Sequence, residues 1–276
     1  MASESILIND DISGILSYPD NIANSDTVLP AVLFLHGFAT DKNEVDDFYR
    51  KMSTKLAADN IVSLRIDFTG FGESKKAPQN SSIDTMISDA TEAFKYLSSL
   101  SYVNPNAIGI VGFSLGAAIA ILAAKTQPCR SLVLLSPVSN LVKDFTAFLG
   151  NEVMGKLDAC TDFVEVTLPW RKIKIGKAFY TSLSNYDPLE SIQTYTEELV
   201  CIAGTRDFSA ENIVSIDSLS PSPKKSKHLI EGAGHIFELE NGTSKLGDIA
   251  SLTCSLLEHG LSEEDPSNDR CTSPVM

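Results

Sequence analysis

Positive charge is scarce in this chain. Its 22 lysines and arginines face 36 aspartates and glutamates over 276 residues, a net charge of −14. Binding nucleic acid or an anionic membrane surface needs a basic patch that meets phosphate. Neither is therefore expected as a partner. Cysteine is thin too. Cys129, Cys160, Cys201, Cys254 and Cys271 include no two at metal-ligand or redox-motif spacing. No bound metal is expected, and unpaired thiols suit a reducing, cytoplasmic setting. The opening MASESILINDD lacks a basic stretch and a long apolar run, so no signal peptide is expected. Phosphate-binding signatures are missing as well. The glycines of RIDFTGFGES fit neither G-x-x-x-x-G-K-[ST] nor G-x-G-x-x-G, which leaves a tight structural loop and no nucleotide cofactor.

Ala107 to Ala124 carries no charge over eighteen residues. That length just reaches the lower limit for a membrane-spanning helix. No basic cluster or aromatic belt flanks it, and its interior is not uniform. Ile108, Ile110 and Val111 are β-branched and stop at Gly112; Ala117, Ala118, Ala120, Ala123 and Ala124 follow Gly116. The pattern predicts a buried strand, a sharp turn and a buried helix, and no membrane span.

The rest of the chain alternates in the same way. SILI and ISGILSYP form a candidate hairpin, and AVLFLH is a strand buried on both faces. EVDDFYRKMSTKLAAD places Val45, Phe48, Tyr49, Met52 and Leu56 at helical spacing, and IVSLRIDF is the next strand. SSIDTMISDATEAFKYLSSL is a helix; AIGIVGF, SLGAAIAILAAK and SLVLLSP continue as strand, helix and strand. ELVCIAGTRD, ENIVSIDSLS, SKHLIEGAGH and SKLGDIASLTCSLLEHG close the series. Eight strands with intervening helices predict an α/β fold: a mostly parallel eight-stranded sheet with helices on both faces. The alternation breaks between Ser139 and Tyr186, where a helix and a two-stranded excursion around Pro169 intervene. Residues 139–186 are expected to form a small inserted cap, and 1–138 with 187–260 the core. The polar tail 261–276 is expected to be disordered. The Lys224, Lys225 and Lys227 cluster is expected to be a solvated loop.

GFSLG places Ser114 between Gly112 and Gly116 on the strand-to-helix turn. This is the nucleophile-elbow pattern, in which a strained backbone lifts a hydroxyl clear of the sheet. A serine needs a base to take its proton, and the chain holds His36, His228, His235 and His259. Elbow enzymes run serine, acid, histidine along the chain. His228 lies inside a strand pattern and His259 near a helix end. His235 follows EGAG in a loop after a strand and is the favoured base. Asp207 ends the strand-like run before it and is the favoured acid. Asp187, before Pro188, suits a helix N-cap, and Asp217 falls inside a helix. An oxyanion hole needs two aimed N–H groups. Leu115 supplies one by following the serine, and Phe38 in FLHGFAT the other, with His36 bracing that loop. Trp170, the one tryptophan, sits at the turn of the excursion and is a candidate substrate-binding residue of an apolar wall. Phe145 and Phe148 are better placed for the insertion's own small core.

FLHGF, RIDFTGFGES, GFSLG, GTRD and EGAGH, in this order, resemble the motifs of the α/β-hydrolase superfamily. KIKIGKAFYTSL and YDPLESIQTY, followed by HLIEGAGHIFE, more loosely resemble its cinnamoyl/feruloyl-esterase-like branch. Phe71 stands where that branch often has histidine, and DFSA replaces its usual Val-Pro after the acid. The resemblance implies the α/β-hydrolase fold and a cofactor-free serine esterase. Ser114, His235 and Asp207 would form the triad, acting on a small-molecule carboxylic ester through an acyl-enzyme. The same residues would serve a thioesterase or small-amide hydrolase, and a non-catalytic ligand receptor on this fold is the expectation from outside enzymology.

Overall fold

The computed structural model describes residues 1–20, 22 and 28–262. The last fourteen residues, on which most of the expected disordered tail falls, lie outside the described residues. β1 (Ala2–Ile8) and β2 (Ile12–Tyr18) form the hairpin at one edge. β2 pairs antiparallel with β4 (Val62–Ile66). From there the sheet is parallel through β3 (Leu29–Leu35), β5 (Val103–Phe113), β6 (Ser131–Leu135), β9 (Glu198–Gly204) and β10 (Lys225–Ile230). The order is β1-β2-β4-β3-β5-β6-β9-β10, eight strands in one sheet. β3 lies between β4 and β5, so the chain steps one way from β3 to β4 and the other way to β5. That reversal opens a crevice at the carboxyl ends of β3 and β5, where such sheets bind ligands.

The alternation of side chains divides the core. Ala31, Leu33 and Leu35 of β3, with Ile108 and Ile110 of β5, face α2 (Ile83–Ser99) and α3 (Leu115–Ala124). Val32, Phe34, Val111 and Phe113 face α1 (Phe48–Ala58) and α8 (Leu246–Ser262) on the other side. α3 is buried from Leu115 to Ala123, as expected of a helix apolar all round. α2 is amphipathic and begins in a reciprocal cap: Ser82 Oγ accepts from the Thr85 N–H at 3.2 Å, and Thr85 Oγ1 from the Ser82 N–H at 2.9 Å. Among the described residues no helix is long and apolar enough to cross a membrane. The eighteen uncharged residues are the end of β5 and α3, strand and helix as the pattern predicts.

Between β6 and β9 the chain forms α4 (Leu141–Ala159), the antiparallel pair β7 (Phe163–Thr167) and β8 (Lys172–Gly176), and the short helices α5 (Lys177–Ser182) and α6 (Pro188–Ser191). α7 (Ser209–Leu219) links β9 to β10. The insertion adds no strand to the main sheet. Its Leu141, Phe145, Leu157, Ile173, Ile175 and Phe179 join the apolar cluster that holds α2 and α3. α4 breaks at Gly150, whose φ of 82° leaves helical space.

Several local expectations are corrected. α1 begins at Phe48 and not at Glu44, because Glu44, Asp46 and Asp47 have φ of 61°, 54° and 55°. The Glu44 carboxylate turns inward instead, accepting from the Gly37 N–H and, at 2.8 Å, from Thr40 Oγ1. β10 ends at Ile230, leaving EGAGH as loop. Lys225 and Lys227 lie on that strand, not in a loop; Lys227 Nζ pairs with Asp217 of α7 at 2.7 Å. Phe145 is buried as expected, but Phe148 is 46% exposed.

One buried carboxylate bears on pH. Asp89 of α2 is 6% exposed and accepts from the Thr69 N–H at 2.6 Å and from Thr69 Oγ1 at 3.1 Å. Burial pushes its carboxyl up to about 6 against the pull of those two donors. An acid held higher in the folded than in the unfolded chain destabilises the fold once ionised. Stability from this group is therefore lost as pH rises from about 4 to about 6, by about 3 kcal/mol. Asn at this position can accept from the amide and donate to the hydroxyl. Asp89→Asn should match the wild type in urea denaturation at pH 4. At pH 7.5 it should exceed the wild type by about 1–3 kcal/mol, because the buried charge that forms above pH 6 is then missing. A gap that does not widen with pH would show that Asp89 titrates normally.

Candidate active site

β5 delivers Ser114 into the crevice. Its φ of 53° and ψ of −114° are strained for a residue with a Cβ. The backbone is held there by a Ser114 N–H bond to the Leu135 carbonyl at 2.9 Å and by the Val138 N–H on the Ser114 carbonyl at 3.2 Å. Glycine is needed on both sides. A Cβ on Gly116 would lie 2.0 Å from the Leu35 carbonyl oxygen, and one on Gly112 2.3 Å from that of Gly116. The elbow is thus packed directly against the end of β3.

The loops after β9 and β10 bring up the other two groups. The Arg206 N–H bonds the Ala233 carbonyl at 3.0 Å, and the Gly232 N–H bonds Thr205 Oγ1 at 2.8 Å, tying these loops together. Asp207 accepts from His235 Nδ1 at 2.8 Å, and Ser114 Oγ lies 3.0 Å from His235 Nε2. The Asp207 side chain is 4% exposed and that of His235 34%. Asp207 also accepts from Ser209 Oγ, and its side chain caps no helix. Ser136 Oγ donates to the His235 carbonyl at 2.8 Å and fixes that backbone. With Nδ1–H given to the carboxylate, Nε2 is left to accept the serine proton.

The other candidates are accounted for elsewhere. Asp187 caps α6 through the Leu189 N–H at 2.8 Å. His228 stays in β10, beside Ser226 Oγ at 3.3 Å. His36 is fully buried; its Nδ1 is 2.7 Å from the Gly37 carbonyl oxygen, and its Nε2 accepts from the Phe68 N–H at 3.1 Å. It braces the loop after β3. Asp67 braces the neighbouring loop: it is fully buried and takes the Lys42 ammonium at 2.6 Å and the Glu73 N–H at 2.8 Å. RIDFTGFGES is accordingly a self-stapled turn.

Phe38 lies in the loop after β3, and Leu115 opens α3 directly after Ser114. Among the described residues neither N–H has an acceptor, the condition an oxyanion donor must meet. Phe38 packs its ring against Phe145 and Phe179, with centroids 5.1 Å away in each case. Trp170 reaches the same loop from the β7–β8 turn. Its Nε1–H donates to the Ala39 carbonyl at 3.2 Å, and its ring stacks on Phe148 at 6.1 Å.

Phe208 was invisible to sequence reasoning. Its ring stacks on the His235 imidazole, 5.2 Å between centroids and 20° between planes. An aromatic face favours a cation above it, and this imidazole becomes cationic when it takes a proton. The only signal was its place immediately after Asp207. Ser209 and Ser136 also escaped notice, since a serine in a loop carries no mark of its partner.

Residues 27–200 match the family model described as serine aminopeptidase, S33. The chain belongs to this S33 family of α/β-hydrolases. The matched residues include the Ser114 elbow and end before Asp207 and His235, so the family match does not bear on the acid and base. Two uncharacterized proteins of Mycobacterium tuberculosis, strains H37Rv and CDC 1551, are each 25% identical over 207 residues. The match covers 75% of this chain and 63% of theirs, so the chain spans less than two thirds of those relatives. Among solved structures, Est1E from Butyrivibrio proteoclasticus with ferulic acid bound is similar at a TM-score of 0.73 and 17% identity, over 94% of this chain and 100% of its own. GrgF, an α/β-hydrolase from Penicillium sp. sh18, gives 0.72 and 15%, over 95% and 99%. Mouse α/β-hydrolase domain-containing protein 10 gives 0.68 and 17%, over 94% and 99%. At these identities the likeness of the S33 family chain to these structures is one of fold.

Proposed function

We propose that this chain is a serine hydrolase that cleaves carboxylic esters through an acyl-enzyme. The observation that carries the reading is the continuous relay from Ser114 Oγ to His235 Nε2 at 3.0 Å and from His235 Nδ1 to Asp207 at 2.8 Å. Ser114 Oγ bonds to the acyl carbon while its proton passes to Nε2. The Phe38 and Leu115 N–H groups receive the developing oxyanion. The imidazolium, steadied by Asp207 and lying against Phe208, gives that proton to the departing alcohol as the C–O bond breaks. Water then attacks the acyl-serine with His235 as base, and the acid leaves. Thioesters and small amides would pass through the same steps.

Residues 139–186 act in this reading as a cap that sets substrate choice. Phe148 and Trp170 support it: both are about half exposed, at 46% and 53%, and stack beside the oxyanion loop. Binding energy from a remote apolar group should be lost with the indole while the triad stays in place. Trp170→Ala should raise KM for p-nitrophenyl octanoate and methyl ferulate roughly 5- to 20-fold, with a smaller change in kcat for p-nitrophenyl acetate. Equal losses on every ester from a well-folded variant would make Trp170 a structural residue. The hydrolase reading itself is tested by fluorophosphonate labelling of Ser114 together with turnover of this ester panel. A chain that neither labels nor turns over would be a ligand-binding protein on a hydrolase scaffold.

A further inference from the structure

A cleft of roughly 270 Å³ opens between β8 and the loop after β4, with Gly70, Phe71, Glu165, Arg171, Lys172 and Lys174 among its walls. The triad does not line it. It adjoins the site through two residues: the Phe71 ring lies 6.2 Å from that of Phe38, and an Arg171 guanidinium nitrogen 3.4 Å from the Ala39 carbonyl oxygen. The cleft is small for a whole drug-sized ligand and suits one substituent.

Its charge is opposite to that of the chain. Arg171, Lys172 and Lys174 bring three positive charges within four residues, against one negative charge from Glu165, in a protein of net charge −14. Among the described residues none of the three has a carboxylate within ion-pair distance. Glu165 faces Lys174 across the β7–β8 ladder, yet the Lys174 ammonium lies over the Phe163 ring at 4.5 Å. Elsewhere the basic residues are commonly paired, as Lys42, Lys51, Lys76 and Lys227 are. Arg171 spends one nitrogen on Ala39 and keeps further donors in a fork that fits a carboxylate or phosphate.

We infer that this cleft is a subsite for an anionic oxygen group, carboxylate or phosphate, on the substrate of the adjoining triad. The inference rests on the hydrolase reading for its catalytic part and on the cleft alone for its binding part. It narrows the substrate class to esters that carry a negative charge away from the scissile bond.

Two measurements test it. The first compares p-nitrophenyl hemi-esters of succinate, glutarate and adipate with neutral p-nitrophenyl esters of equal chain length. At least one anionic ester should exceed its neutral counterpart tenfold in kcat/KM. Lys172→Gln/Lys174→Gln should cut that preference at least fivefold, and 0.5 M NaCl should reduce it by screening. Lys125→Gln, exposed at the end of α3 and outside both the cleft and the cap, should not alter the ratio. The second titrates Ser114→Ala with glutarate and with inorganic phosphate, reading the fluorescence of Trp170, the sole tryptophan and the neighbour of Arg171. Saturable change that weakens in the double lysine variant supports the cleft, and the anion that binds more tightly identifies the group. If no ester turns over, the hydrolase reading fails and the titration still decides the subsite. Equal rates on charged and neutral esters, or no saturable fluorescence change with either anion, overturns the inference.

Discussion

Ser114→Ala should abolish ester turnover, with kcat falling by about 10⁴-fold or more. The hydroxyl oxygen that lies 3.0 Å from His235 Nε2 is the only heavy atom removed. The backbone contacts that hold residue 114, to Leu135 and from Val138, do not involve the side chain. Circular dichroism and urea midpoint should therefore stay close to wild type. A residual rate above about a tenth of wild type would assign the nucleophile elsewhere. Ser114→Gly separates chemistry from strain. Both variants lack the hydroxyl, but glycine adopts a φ of 53° freely. The glycine variant should be inactive and more stable than the alanine variant by about 1–3 kcal/mol, the usual size of backbone strain stored at such positions.

Asp207→Asn should lower kcat by about 10³- to 10⁴-fold while KM changes little. Asp207 accepts a hydrogen bond from His235 Nδ1–H at 2.8 Å and a second from Ser209 Oγ, both on the same carboxylate oxygen. An Asn side chain can place either its oxygen or its NH₂ at that one position. With the NH₂ there, the ring carries its proton on Nε2, where it can no longer accept from Ser114. Even with the right tautomer, a neutral amide would not stabilise the imidazolium formed during attack. Thermal unfolding should not suffer, because the carboxylate at 4% side-chain exposure is itself costly to bury. A fall of less than tenfold would mean that another group orients His235, with Ser136 at its carbonyl the first to test.

Much of the fold could be read locally. The β-branched run Ile108, Ile110, Val111 followed by alanines is strand and then helix because period and residue size report burial. The helix before β4 was legible in its periodicity and wrong in its start. Helical spacing from Val45 could not reveal that Glu44 turns inward to the Gly37 N–H and that residues 44, 46 and 47 take positive φ. Phe148 was misplaced for a similar reason. Its spacing from Phe145 suits one helix face, but the break at Gly150 ends that face and leaves the ring half exposed over Trp170.

By itself the sequence determined the α/β class, the parallel alternation, the break after β6 and the strained serine between glycines. Each depends on residues within one or two turns of chain, where burial period and backbone dihedrals act. Chain order favoured His235 and Asp207, and tertiary structure decided that they meet that serine. His235 is 121 positions from Ser114 and 28 from Asp207, and their meeting follows from strand order and from loops tied across β9 and β10. It also decided that Phe208 lies on the imidazole, that Trp170 reaches Ala39 across 131 positions, and that Arg171, Lys172 and Lys174 line one cleft of an acidic protein. Such contacts are made between side chains on separate loops. Their geometry is set by how the sheet twists and which strands are neighbours, and no local pattern carries that information.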